Sequence, residues 1–434
     1  MHPVAVLHKH LQEAIPSLHG TRLKALMAAV SSVLCGAQVS ITSLGRSLPN
    51  AAFIKHKIKR MDRLIGNARL CQERWRFYAV LTQWLVRGLP HPLILIDWSP
   101  LSDDQEFHVL RASLPVKGRA LTLYEEVHPR SRLGNRRVQQ AFLETLKTLL
   151  PLASHPIIVA DSGFRVPFYR YVEDTLGWYW VGRIRNRDFI SWQNTTDAWF
   201  SATSLYAKAT PKPADLGVVQ WVRRCPLPAF LVLVRQPRKG RQQCNQSGQR
   251  SQSYHSKKQA RREKEPWLLV ASLSLHSFTA RQIMKLFQAR MQIEEGFRDS
   301  KNHRYGLGVA KANRIGQQRR ANLLLIAALA AFLLWCVGVA GKNQPIAKQV
   351  RVNSSSKREP YSLIFLARLL LRQPAFRLYT QPNLAITHND QSLYQELIVC
   401  LNFVGIAQSL TPSEASGTIA GCDVSNRTIY SNDH

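Results

Sequence analysis

The chain has 434 residues, with 59 Lys or Arg against 27 Asp or Glu and a net charge of +32. That length exceeds one ordinary core, so several domains are expected, and an apolar share of 45% excludes wholesale disorder. So large a cationic excess opposes compaction unless a polyanion neutralises it, and nucleic acid is the usual one; a generic basic surface is the plainer alternative.

The opening MHPVAVLHKHLQEAIP lacks the long apolar run of a signal peptide. The seven scattered cysteines form no C-x-x-C pair, which leaves no zinc or redox motif and fits a reducing cytoplasm.

Residues 1–90 read as a helical, basic domain. A helix is expected from Thr21 to Cys35, stopped by Gly36, and a short one near Ile41–Leu48, closed by Pro49. Asn50 is expected to cap a third, AAFIKHKIKRMDRLIG, which carries Lys55, Lys57, Lys59, Arg60 and Arg63. Helix, short helix, basic helix suits a helix-turn-helix DNA-binding domain, and equally an ordinary bundle with a solvated charged face.

From His91 the pattern changes to strands alternating with helices, the pattern of a mixed α/β sheet. Short buried strands are expected at Leu93–Ile96 and Ile157–Ala160. A strand pair should span Phe107–His128 about a Lys117–Gly118 turn, with a helix at Asn135–Leu150, another at Val166–Leu176 and a strand at Trp178–Ile184. Residues 186–265 interrupt this pattern as a β-rich basic insertion, with strands at Val218–Val222 and Phe230–Val234 and a flexible cationic loop at Arg235–Glu265. The sheet resumes at Trp267–Leu273, and Thr279–Arg298 reads as one strong helix. The domains expected are therefore 1–90, a catalytic part at 91–185, the insertion at 186–265, a second catalytic part at 266–345, and a C-terminal region at 346–434 ending in a polar tail.

Leu323–Gly341 is one unbroken apolar stretch. It is long enough to cross a membrane, and equally suits a helix buried on all sides; standing alone in so basic a chain, it is read as the buried helix.

Two strands end alike, HPLILID with Asp97 and HPIIVAD with Asp161. A carboxylate at the end of a buried strand is costly unless paired or metal-bound, although each could simply cap the turn that follows. On adjacent strands the two would repel unless a cation stood between them, and hard oxygen ligands suit Mg²⁺ or Mn²⁺. The helix FTARQIMKLFQARMQIEEGFRDSK supplies a third acid. At about 100° per residue, Arg290, Glu294 and Lys301 fall within about 60° of Phe287, whereas Glu295 and Asp299 point elsewhere. An exposed Arg290–Glu294 ion pair is the plainer account of part of this stripe.

The stripe Phe287, Arg290, Glu294, Lys301 resembles the signature of the IS-four family of hairpin-forming, cut-and-paste bacterial transposases, with Phe287 where the family has Tyr. GWYWVGRIR and EPWLLV are similar to that family's segments as well, and the likeness covers residues 5 to about 380. The resemblance implies a ribonuclease-H-like sheet interrupted by an insertion, and the catalytic acids Asp97, Asp161 and Glu294 holding two Mg²⁺ or Mn²⁺ ions. It implies phosphate contacts from Arg290 and Lys301, with Phe287 lacking the hydroxyl that could share in them, and a stacking role for Trp267 on a flipped base. It also implies double-stranded transposon ends and target DNA as partners, a homodimer on DNA, and work in the bacterial nucleoid without a membrane. A metal-dependent nuclease without strand transfer, or a non-catalytic DNA-binding regulator, remains an alternative on the residues alone.

Overall fold

The computed structural model describes residues 3–102, 104–116, 119–185, 188–192, 198–237, 249–254, 256–257, 260, 265–303, 306–311, 315–352, 361–373 and 376. The expected turn at Lys117–Gly118, much of the cationic loop and the polar tail fall outside them.

Five helices come first: α1 (Pro3–Ala14), α2 (Gly20–Leu34), α3 (Ile41–Arg46), α4 (Ile54–Ile65) and α5 (Ala68–Val86). The basic helix begins later than its sequence suggests. Asn50 is not its cap; the cap position is Phe53, which has no side-chain acceptor to offer. Where real caps exist they are the expected kind: Asn67 accepts from the Leu70 amide and opens α5, and Ser40 does the same for α3. Gly36, at φ +101°, ends the turn after α2 in a conformation that side-chain-bearing residues avoid.

The sheet has ten strands in the order β3-β2-β1-β4-β5-β10-β9-β8-β6-β7. In chain order these are β1 (Leu93–Pro100), β2 (Phe107–Val116), β3 (Arg119–Pro129), β4 (Ile157–Ala160), β5 (Tyr179–Ile184), β6 (Phe189–Trp192), β7 (Phe200–Ser201), β8 (Ala214–Trp221), β9 (Leu227–Val234) and β10 (Trp267–Ala271). β1, β4 and β5 run parallel, and β2 and β3 fold back antiparallel beside β1. Such a mixed sheet is compatible with the ribonuclease-H-like core expected. The central strands are near-continuous apolar runs because both faces of the sheet are covered. The strands described between residues 186 and 265 extend this same sheet outward from β10.

Helix α6 (Arg136–Leu149) is capped by Asn135 and buries Phe142, Leu143 and Leu146. Helix α7 (Val166–Arg170) runs on into one wide turn at Tyr171–Thr175. The expected single helix at Thr279–Arg298 is two: α8 (Ala280–Ala289), with a reciprocal Thr279–Gln282 capping box, and α9 (Met291–Lys301). They meet at Arg290, whose amide bonds back to the Phe287 carbonyl at 3.1 Å. Helix α10 (Gln317–Gly341) holds the long apolar stretch, and nearly every residue from Arg320 to Val339 is buried. It packs between α2 and α5 on one side and β3 on the other, and α12 (Leu363–Leu370), which follows the short α11 (Pro345–Gln349), closes over it. It is the one helix among the described residues long and apolar enough to cross a membrane, and here it is a core element.

Candidate active site

Strand β1 does not stop at Asp97, contrary to the sequence pattern; it continues to Pro100 because β2 supplies paired backbone that far. Asp161, by contrast, does follow the end of β4. Ile96 sits opposite Ala160 on the parallel pair, so Asp97 and Asp161 come next to each other one residue further on. The Asp161 carboxylate accepts from the Gly163 amide at 2.7 Å, and a Cβ at Gly163 would lie 2.9 Å from that same oxygen, so any side chain there would push the Asp161 carboxylate out of place.

The third acid arrives from α9. Glu294 and Asp97 are joined by one guanidinium: Arg290 Nη2 donates to Glu294 Oε1 at 2.6 Å and Nη1 to Asp97 Oδ2 at 3.2 Å. The remaining oxygen of Asp97 accepts from the Trp98 amide at 2.8 Å. Burial first, and then the charge of Asp161, push the Asp97 carboxyl from an ordinary 3.8 up to about 7, with Glu294 adding to the rise and Arg290 opposing it. Glu295 faces away and pairs with Arg298. Lys301 donates to Ser99 Oγ at 2.8 Å and to the Pro100 carbonyl at 3.1 Å, fastening the end of α9 to β1. Between β1 and α9 lies an open cleft of about 770 Å³, lined by Asp97, Glu294 and Lys301 among others.

Asp161 and Glu294, near enough to raise the proton affinity of Asp97, form with it a donor set suited to a hard divalent cation. In the structure Arg290 supplies the positive charge, and among the described residues no three acid, His or Cys side chains converge closely enough to enclose an ion.

A family model described as the transposase DDE domain matches residues 89–333, a segment that contains all three acids. The chain belongs to this family. It is therefore a DDE transposase, a polynucleotidyl transferase of a family that acts on DNA and generally uses divalent metal ions. No curated protein matches the chain.

Around the transposase's carboxylates lies an aromatic and cationic surround. Trp267, half-buried at the head of β10, meets the Phe287 ring edge-on at 5.1 Å. Phe287 is buried and lies under the Arg290 guanidinium at 5.8 Å. Where a Tyr would bring a hydroxyl, Phe287 thus brings an apolar floor for Trp267. On the other side, Arg183 of β5 stands 6.0 Å from the Trp267 ring, and burial together with Arg185 presses its guanidinium down to about 10. Sequence reasoning passed over Arg183, although it sits in GWYWVGRIR; a charge within an otherwise buried strand was the available signal.

The N-terminal candidates lie elsewhere. Lys55, Lys59 and Arg63 are exposed on α4 and Arg60 is half-buried, while Lys57 donates to the Leu48 carbonyl at 3.0 Å. None of them lines the cleft as described.

The Asp97 shift has a consequence for stability. Its folded value lies above its unfolded value of 3.8, so the folded transposase binds the extra proton between about 4 and 7, and this group's contribution to stability declines as pH rises through that window. In chelator, the melting temperature is expected to fall from pH 5 to pH 8 more steeply in the wild type than in Asp97→Asn. Equal slopes would show that Asp97 titrates normally.

Proposed function

We propose that this transposase binds the ends of an insertion sequence, excises it and joins it to target DNA by cut and paste, through a hairpin at each end, as in the IS-four family. What supports the reading is that Asp97 and Asp161 stand side by side at the paired strands β1 and β4, while Arg290 ties Glu294 of α9 to Asp97. Asp97, Asp161 and Glu294 would hold two Mg²⁺ or Mn²⁺ ions, which when bound activate the attacking oxygen and stabilise the leaving one.

The chain's own groups do the rest. Lys301 and Arg290 take the phosphates of the strand being cut, a task for which a guanidinium's paired donors are suited. Water attacks phosphorus and the 3′-oxygen leaves with a proton. That 3′-hydroxyl then attacks the phosphorus of the opposite strand; the new bond closes the hairpin on the element, and the bond to the flanking strand's 3′-oxygen breaks, so the flanking DNA leaves with a 3′-hydroxyl. Hydrolysis reopens the hairpin, and the same 3′-hydroxyl attacks target DNA. Each step is one in-line displacement at phosphorus, so one carboxylate site serves all of them. The cations of α4, namely Lys55, Lys57, Lys59, Arg60 and Arg63, grip the phosphates of the end sequence within a domain of residues 1–90. The Trp267 ring lines the path of the strand, with the Phe287 ring supporting it from beneath. Two protomers, one for each end, act together on DNA in the nucleoid, with no membrane involved.

The test is the product series on a labelled end duplex with Mg²⁺. Nicked strand, hairpin and joined product are expected in that order, and cuts that are never joined would favour a simple nuclease. Within the series, Trp267→Ala should still nick but stall before the hairpin, because the duplex bends sharply enough only if a base leaves the stack. Stacking on an aromatic face is worth about 1–3 kcal/mol per base. An abasic site at the flipped position should partly restore hairpin formation. Equal loss of both steps together with a lower melting temperature would make Trp267 a packing residue only.

A further inference from the structure

Arg111 of β2 lies opposite Asp97 on one side and opposite Glu125 of β3 on the other, so the three form a single row across β1, β2 and β3. Side chains directly opposite on antiparallel strands share a face. Arg111 and Glu125 are almost fully enclosed, with side chains 4% and 1% exposed. Arg111 Nε and Nη2 both donate to Glu125 Oε2 at 2.7 Å. The other arm of the guanidinium reaches α9: Nη1 donates to Ser300 Oγ at 3.3 Å, and the guanidinium carbon lies 4.7 Å from the centre of the Phe297 ring. Ser300 Oγ is held in turn by the Gly296 carbonyl at 3.0 Å. Beyond Glu125, the Tyr78 hydroxyl of α5 donates to Oε1 at 3.0 Å.

We infer that the buried Arg111–Glu125 pair is a positioning device that sets the roll and depth of α9, and so places Glu294 and Lys301 against Asp97. Phe297 is one turn beyond Glu294 and one turn before Lys301, on the same helical stripe. A guanidinium gripping Phe297 and Ser300 therefore fixes that stripe against the strand that carries Asp97. Helix α9 runs close enough to β3 that a Cβ at Gly296 would lie 3.2 Å from the Ala120 carbonyl, so a small roll is resisted there too. A buried ion pair gives little net stability compared with well-packed apolar groups, because desolvation offsets the attraction; what its directional bonds supply is a defined arrangement. The Tyr78 contact extends the row to α5, linking the helical N-terminal part to the strand framework behind the site. Arg111 and Glu125 do not line the cleft, so they act on the site through the elements they hold, α9 first among them.

This inference rests on Glu294 being the catalytic acid, and the experiment keeps the two apart. The double variant Arg111→Met with Glu125→Leu fills the same space with apolar groups. In the full-length protein it should melt near the wild-type temperature and bind end DNA within about 2-fold, whereas single-turnover nicking falls about 100-fold, the size expected when catalytic groups are displaced by about 1 Å. The loss should appear in kcat and leave KM unchanged. Arg111→Lys keeps the charge but not the two-armed grip, and should be as slow as the double variant. Wild-type nicking in either variant overturns the inference. Should the double variant prove unstable, Ser300→Ala decides, since it leaves the ion pair intact: about a 5-fold lower kcat at an unchanged melting temperature supports the positioning role, and an unchanged kcat overturns it. Glu294→Ala runs alongside. If that change leaves nicking intact, the assignment of the catalytic acid fails first; if it abolishes nicking while the Arg111 and Glu125 variants stay fast, the positioning role alone fails.

Discussion

Glu294→Ala is expected to abolish strand cleavage while end binding stays within about 2-fold, and Glu295→Ala one residue away should be almost silent. The contrast follows from where the two side chains go. Glu294 shares the Arg290 guanidinium with Asp97 and faces the cleft. Losing a carboxylate that holds metal, the role proposed for Glu294, would forfeit several kcal/mol of transition-state stabilisation; each 1.36 kcal/mol is tenfold in rate, so a fall of about 10³-fold or more is expected. Glu295 makes only a surface pair with Arg298, a kind of contact worth about 0–1 kcal/mol. Single-turnover nicking of a labelled end duplex, set beside a gel-shift titration, measures both. An essential Glu295 with a dispensable Glu294 would mean that α9 presents a different face to the sheet.

The second large effect concerns the core. Leu329 lies at the middle of α10 and is fully buried. Truncation to Ala should cost about 2–5 kcal/mol through lost transfer energy and the cavity left behind. Leu329→Asp should prevent folding, since an unpaired carboxylate there has no partner to offset its desolvation. Thermal melts and yield of folded protein provide the check. A Leu329→Asp protein that melted like the wild type would contradict the burial of α10 between the N-terminal helices and β3.

Much of the site was legible because its chemistry leaves local marks. The repeated His-Pro, four apolar residues, Asp pattern marked Asp97 and Asp161, which the structure sets side by side, and the helical stripe set Glu294 apart from Glu295, which take different partners in the structure. What failed was set by partners distant in sequence. Nothing in LILIDWSP says that β1 runs past Asp97; that depends on β2 pairing as far as His108 opposite Pro100. The break at Arg290 is equally silent, since the apolar period continues through it and the helix is divided by how α8 and α9 each dock. Asn50 looked like a cap by residue type, but the chain turns into α4 only at Phe53.

Arg111 and Glu125 were the least legible of all. An alternating charge in a strand reads as a solvent-facing position, and only the arrival of α9 and α5 over β2 and β3 encloses the pair. Within the insertion the sequence marked β8 and β9 but neither β6 nor β7, and it left their place in the sheet open, because the pairing of β9 with β10 joins segments separated by the cationic loop. Phe287 was read as lacking a hydroxyl that could reach a phosphate; the structure adds that its ring meets Trp267 edge-on, a contact between residues far apart in sequence.

The central claim is that Asp97, Asp161 and Glu294 form one metal-dependent centre. Calorimetric titration of Mn²⁺ into the complex of the full-length protein with an uncut end duplex tests it most directly, carried out on the wild type and on Asp97→Ala, Asp161→Ala and Glu294→Ala. The account predicts saturable binding to the wild type that each single substitution weakens at least about tenfold, with folding and end binding retained. Undiminished Mn²⁺ binding in all three variants would contradict it.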